Sequence, residues 1–172
     1  QQMQDGSIDV SNVTEVGQYL SGALAATPQI RSIVYISEAT RMIFALRKER
    51  EVELNVVDIS KMPVILNAVA EARNEVDVFW GEVIRPKTTS ATLLNARYPV
   101  LLADGSLGVL AATMQIDELS RILDSTAKTL GGRAFVLYDK HLVLAHPNLI
   151  SGISNLGDGQ VLPTLDQING PW

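Results

Sequence analysis

Val10, Val13, Val16, Leu20 and Leu24 recur at three- and four-residue intervals, the spacing of one face of an α-helix, and predict a helix over Asp9–Ala26. Asp9 or Ser11 can cap its start, and Pro28 stands just past its end. From Ile30 to Ile36 the pattern becomes an alternation, with Ile30, Ser32, Val34 and Ile36 on one side and Arg31, Ile33 and Tyr35 on the other, as in a strand. Met42–Leu46 and Glu51–Val57 predict two further strands. The run Arg47, Lys48, Glu49, Arg50, Glu51 between them mixes both signs of charge and reads as a solvated strand end or turn.

Ser60 is the predicted cap of a second helix that begins near Pro63, a residue suited to a first turn, and runs through Ile65, Leu66, Val69 and Ala72 to about Asn74. Three extended stretches follow, Val76–Arg85, Ala91–Leu102 and Leu107–Gln115, with Asp104-Gly105 as the turn between the last two. Asp117 is the predicted cap of an amphipathic helix carrying Leu119, Ile122, Leu123 and Leu130, which Gly131-Gly132 ends. Arg133–Tyr138 and Leu142–Ala145 form a last hairpin. This order predicts an α+β domain, one antiparallel sheet with helices on its face. Past Pro147 the chain turns to Gly, Ser, Asn and Asp and reads as an exit loop leading to Leu162–Trp172.

Composition narrows the function. A chain of 172 residues with 47% hydrophobic content can bury a core of its own. A net charge of −5 and a pI near 5.0 argue against nucleic-acid binding, which calls for a concentrated basic face. Without cysteine there is no disulfide, no thiolate nucleophile and no Cys-based zinc site. No apolar run approaches the roughly 20 residues that cross a bilayer, and the first residues lack a signal-peptide pattern. An extracytoplasmic location therefore requires membrane helices beyond this sequence.

No catalytic constellation emerges, and no metal or cofactor is expected. His141 and His146 are five apart, on opposite faces if one strand carried both, and His146 before Pro147 reads as a strand-end residue with a satisfied ring. Gly105-Ser106-Leu107-Gly108 and Gly131-Gly132 lack the lysine and the length of a phosphate loop, so turn and helix-end roles explain them. Asn12-Val13-Thr14 matches a glycosylation pattern inside a predicted helix and carries no weight. The acidic pairs Asp117-Glu118 and Asp5-Asp9 sit at helix starts, where the dipole favours them.

One set of residues suits a small ligand: Trp80, Glu82, Asn95, Arg97 and Thr113 in the three central extended stretches, with Tyr35 of the first strand added to it. Trp80 and Glu82 share a strand face, as do Asn95 and Arg97, so both pairs can project to one side of the sheet. Arg97 among apolar neighbours needs a partner, either Glu82 in a structural ion pair or the carboxylate of a ligand, whose geometry a guanidinium fork matches. Trp80 is core packing or a pocket wall.

Asp104–Ala112 followed by Ile116–Ser120 resembles the hairpin-to-helix signature of Cache domains, which are PAS-like sensors. Arg133–Tyr138 with Val143–Pro147 is similar to that family's final hairpin. Trp80-Gly81-Glu82, Asn95–Val100 and Leu162–Asp166 look like the membrane-distal half of a double Cache sensor from bacterial adenylate or guanylate cyclase receptors, a resemblance covering roughly residues 20–172.

It implies an extracytoplasmic, periplasmic sensor domain over 28–150, a ligand-binding part of a membrane-anchored receptor and not itself an enzyme. Residues 1–27 would be the end of an N-terminal stalk helix through which a homodimer can form. Residues 151–172 would lead to a second module or a membrane helix. A ligand-free interaction or dimerisation module of a chemoreceptor or histidine kinase is the alternative. In many amino-acid-binding members an acidic residue stands at the place of Thr113, and an Arg-x-Trp signature at that of Lys61-Met62-Pro63. A carboxylate or neutral small molecule therefore fits Arg97 better than a ligand anchored by its amine.

Overall fold

Asn12, and neither Asp9 nor Ser11, starts the first helix, α1 (Val13–Ala26): its side-chain oxygen accepts the backbone N–H groups of Thr14 at 3.1 Å and Glu15 at 3.3 Å. Asp9 instead builds the turn before the cap, accepting the Ser11 backbone N–H at 2.8 Å and its hydroxyl at 2.7 Å, bonds that hold the Asp9 carboxyl below its ordinary pKa. The computed structural model describes residues 3, 6–49, 51–86, 91–151, 156–157 and 159–168. Asp5, Arg50 and Trp172, named above, lie outside them. Among the described residues no helix is long and apolar enough to cross a membrane.

Six strands form one sheet: β1 (Ser32–Ser37), β2 (Arg41–Lys48), β3 (Glu51–Asp58), β4 (Phe79–Trp80), β5 (Leu93–Leu101) and β6 (Leu107–Gln115), in the order β3-β2-β1-β6-β5-β4. β1 is central and antiparallel to both neighbours, Val34 lying opposite Phe44 of β2 and Ala111 of β6. Its alternation is packed on both sides. Ile33 and Tyr35 join Ile43, Ala45 and Val100 beneath α1, while Val34 and Ile36 join a second cluster under α2 (Pro63–Ala72). Val16, Leu20 and Leu24 of α1 are fully buried, each contributing about 1.5–3 kcal/mol.

α2 begins without a side-chain cap. Met62 occupies the cap position, and Ser60 instead gives its backbone N–H to Asp58 at 2.8 Å. The helix ends at Ala72, two residues earlier than the pattern predicts. The strand expected over Val76–Arg85 also contracts, pairing as β4 only at Phe79–Trp80; Asp77 turns onto the Val78 N–H at 2.7 Å just before it.

Backbone contacts divide the chain into two units, Gln1–Gly81 with Asn95–Thr113, and Glu82–Leu94 with Met114–Trp172. The second contains α3 (Ile116–Thr129) and the hairpin of β7 (Val136–Tyr138) and β8 (Leu142–Ala145). Gln115 is the cap position of α3, so Asp117 does not cap it. Asp117 sits in the first turn and pairs with Arg121 at 2.6 Å. Leu130 and Ile122 of the expected apolar stripe are exposed, and the buried positions are Ile116, Ser120 and Ala127.

Gly131, at φ +73, and Gly132 close the helix as predicted, their N–H groups returning to Lys128 O and Ala127 O at 3.0 and 2.9 Å. Residues 161–168, expected as an exit segment, pack within this unit. The Val143 N–H donates to Pro163 O at 2.8 Å, Thr164 bridges Leu142, and Leu162 and Ile168 are buried with Val143 and Leu149.

Candidate functional site

Alternation along β5 sends Tyr98 and Val100 into the cluster beneath α1 and turns Asn95 and Arg97 to the opposite face, the one α2 covers. Arg97 lies directly opposite Phe79 of β4, and Trp80 opposite Ala96. Paired residues project to the same side, so it is Phe79, packed in the α2 cluster, that shares a face with Arg97. Trp80 points away and is 68% exposed, which rules out core packing. Tyr35 belongs to the α1 face. The predicted set is therefore divided: Asn95, Arg97 and Thr113 lie on the α2 side of the sheet, Trp80 and Tyr35 on the other. Glu82 is an exposed residue of the second unit.

Arg97 is held from two directions. Its Nε–H donates to the Asn95 side-chain oxygen at 2.7 Å, and Nη1 forms an ion pair with Glu71 of α2. Where spacing suggests Glu82, the carboxylate on Arg97 thus comes from Glu71. Burial is unequal, the Arg97 side chain being 12% exposed and that of Glu71 51%. Gly81 makes the arrangement possible. A Cβ there would collide with the Asn95 oxygen and the Arg97 guanidinium, so the clasp lies directly on the Gly81 backbone, whose N–H donates to Asn95 O at 3.0 Å. Sequence reasoning misses Glu71 and Gly81. A signal for Glu71 exists, since it is the single charged residue of the ten that form α2.

Thr113 is buried and its hydroxyl shares a 2.6 Å hydrogen bond with Ser32, so both hydroxyls are engaged within the sheet. Along the same face runs an open groove of about 520 Å³ between the end of α2, at Ala72 and Glu75, and the β5–β6 hairpin, at Pro99, Leu101 and Leu107. Pro99 is two residues from Arg97 on one strand face, and Ala72 follows Glu71. Glu38 fixes the wall, pairing with Arg73 at 2.8 Å and accepting the Leu107 N–H at 3.0 Å. The hairpin turns where expected, with Gly105 at φ +82. Asp104 takes the backbone and hydroxyl protons of Ser106, which lowers its pKa. Gly108 is not a turn residue: it lies in β6, where a Cβ would sit 2.6 Å from the Tyr35 ring.

On the α1 face, Tyr35 is 1% exposed, its hydroxyl has no hydrogen-bond partner among the described residues, and burial pushes its pKa up. Arg47, expected in a solvated turn, reaches the end of α1 instead. Nη2 donates to Leu24 O and, at 3.3 Å, to Thr27 O, while Nε donates to Ile30 O at 3.3 Å. In the second unit His146 is buried and its Nδ1 accepts the Asn148 N–H at 3.1 Å, as a satisfied strand-end ring should. Its backbone N–H donates to the buried Ser120 hydroxyl at 3.2 Å. Desolvation, then the nearby Arg133 charge, lower the His146 pKa. No group of three His, Asp or Glu side chains suited to a metal occurs among the described residues.

No protein-family model and no curated protein matches the sequence. Solved structures do match in shape. The ligand-binding domain of the Campylobacter jejuni chemoreceptor Tlp3 in complex with L-valine superposes with a TM-score of 0.62 at 14% identity, over 86% of this chain and 56% of that one. The extracellular domain of a histidine kinase gives 0.61 at 14%, over 81% and 53%. The ligand-binding domain of the Pseudomonas aeruginosa amino-acid chemoreceptor PctC, in complex with GABA, gives 0.54 at 20%, over 82% and 59%. This chain spans a little over half the length of each. It has the α+β, PAS-like fold shared by these sensory domains.

Proposed function

We propose that this chain is the extracytoplasmic ligand-sensing part of a membrane signal-transduction receptor, and that it recognises a small carboxylate at Arg97 on the sheet face beneath α2. The observation that carries the reading is the Arg97 clasp. The Arg97 side chain, 12% exposed, is oriented through Nε by Asn95, beside an open groove, in a fold whose structural neighbours are sensory domains. Two N–H bonds in one plane are the donor pattern a carboxylate takes best. The resemblance carried by Trp80-Gly81-Glu82, Asn95–Val100 and Leu162–Asp166 favours a nucleotide cyclase as the output module, reached from a periplasmic position through α1, where a homodimer can pack. The chain beyond the packed residues 161–168 then leads toward a second module or a membrane helix.

A thermal-shift screen against carboxylates, amino acids and purines tests this. At a hundredfold excess over Kd a ligand specific to the folded state adds about 2.7 kcal/mol, or roughly 5–10 °C in Tm for a chain of this size. Arg97→Ala should fold and lose the shift. Absence of any shift across the screen would favour the ligand-free interaction module, a reading to which one observation lends support: Glu71 already neutralises Arg97 from within.

A further inference from the structure

We infer that Glu71 is a tethered competitor for the recognition site, a carboxylate of the protein itself that occupies Arg97 until a ligand carboxylate displaces it. The inference rests on the proposed role of Arg97 and adds the residue that sets its affinity and couples it to α2.

The two partners of Arg97 do different work. Asn95 is buried, sits on the same strand two residues away and takes Nε, so it fixes the plane of the guanidinium whether or not Glu71 is present. Glu71 takes only Nη1, from a helix and with half its side chain in solvent. With Nε held by Asn95, a free carboxylate can take Nη1 and Nη2 together, whereas Glu71 takes Nη1 alone. The contact is thus an internal ligand of lower valence held at high effective concentration by its tether.

Displacement is sterically simple. Glu71 is on the solvent side of α2, whose buried residues are Ala68, Val69 and Ala72, so the side chain can leave Arg97 without unpacking the helix. By linkage, whatever the closed contact takes from the apparent affinity of a ligand, the ligand takes from the closed contact. Binding therefore removes a tie between α2 and the sheet.

The test compares the intact chain with its Glu71→Gln, Glu71→Ala and Arg97→Ala variants, using sodium acetate as the probe and the ¹⁵N–¹H resonance of the Gly81 amide, which lies against Arg97 and is present in all four, as the reporter, with circular dichroism to confirm that α2 persists. If the contact is closed in roughly 70–90% of molecules, opening it permanently tightens acetate binding about 3- to 10-fold. Both Glu71 variants should show this, and Arg97→Ala should show no binding. Equal affinity in the intact chain and the Glu71 variants, with Arg97→Ala still inactive, overturns the competitor while leaving Arg97 as the anchor. Failure of acetate to move the Gly81 amide signal in the intact chain and in both Glu71 variants overturns the competitor as well, and the fate of the sensing role then follows from the thermal-shift screen.

Discussion

Arg41 and Arg47 of β2 grip helix α1 at its two ends: Arg41 Nη2 donates to Val10 O at 3.2 Å just before the helix, and Arg47 reaches Leu24 O and Thr27 O at its close. Ile43 and Ala45, between them on the same strand face, are fully buried beneath the helix. Six strand residues rise about 20 Å and fourteen helical residues about 21 Å, so the arginines are spaced to the length they clasp. Arg47→Ala should cost about 1.5–3 kcal/mol in urea unfolding, the range for hydrogen bonds to a charged group. Arg47→Lys should restore little, because one ammonium cannot serve three carbonyls spread over the seven residues from Leu24 to Ile30.

Gly81→Ala should break the Arg97 clasp from below. The added methyl meets the Asn95 oxygen and the guanidinium itself, and overpacking of this kind costs about 1–3 kcal/mol. The Arg97 Nε–H signal should broaden or vanish in ¹⁵N spectra of a chain that still folds. An unchanged signal would mean that the clasp tolerates displacement and that Gly81 is incidental to it.

Tyr35→Phe should leave stability unchanged or raise it. The substitution removes a buried hydroxyl without a partner among the described residues and keeps the ring that packs against Gly108. Gly108→Ala should act oppositely and lose about 1–3 kcal/mol, since its methyl would press on that ring. Chemical denaturation of the two variants side by side checks the contrast.

Acid should weaken the second unit through His146. Its pKa is lowered in the folded chain, so the unfolded chain binds the extra proton more readily. Stability is then complete above the unfolded value near 6.5 and declines as pH falls from there toward the lower folded value. The physical reason is visible at Nδ1, which accepts the Asn148 N–H and can do so only while unprotonated. His146→Asn keeps an acceptor at that place and should flatten the Tm profile between pH 7 and 5.

Periodicity was enough to read α1 and β1, because burial follows it there, Ile33 and Tyr35 against Val34 and Ile36 in β1 and the Val16, Leu20, Leu24 stripe in α1; it was less of a guide to α3, whose Ile122 and Leu130 are exposed, and to Val76–Arg85, of which only Phe79–Trp80 pairs as a strand. Caps were less legible. Asp9, Ser60 and Asp117 are all suitable residue types, yet each lies a few positions from the cap that forms, since side chains of this kind also make local turns. Of the candidate site, the Asn95–Arg97 contact was legible on β5, where the two stand two apart. It was not legible across strands, because the register that places Phe79 rather than Trp80 opposite Arg97 is set by pairing distant in sequence. Glu71 and Arg97 are likewise 26 residues apart.

The uneven footing of α2 has a kinetic consequence. Its first turn has Pro63 at its start, no side-chain cap and an exposed Val64, while Ala68, Val69 and Ala72 anchor the second half. The helix is therefore held to the sheet most firmly in its second half, where Glu71 stands. Amide exchange should run fastest in its first turn and slow stepwise toward Ala72, so the turn that carries Glu71 is the last part of the helix to open.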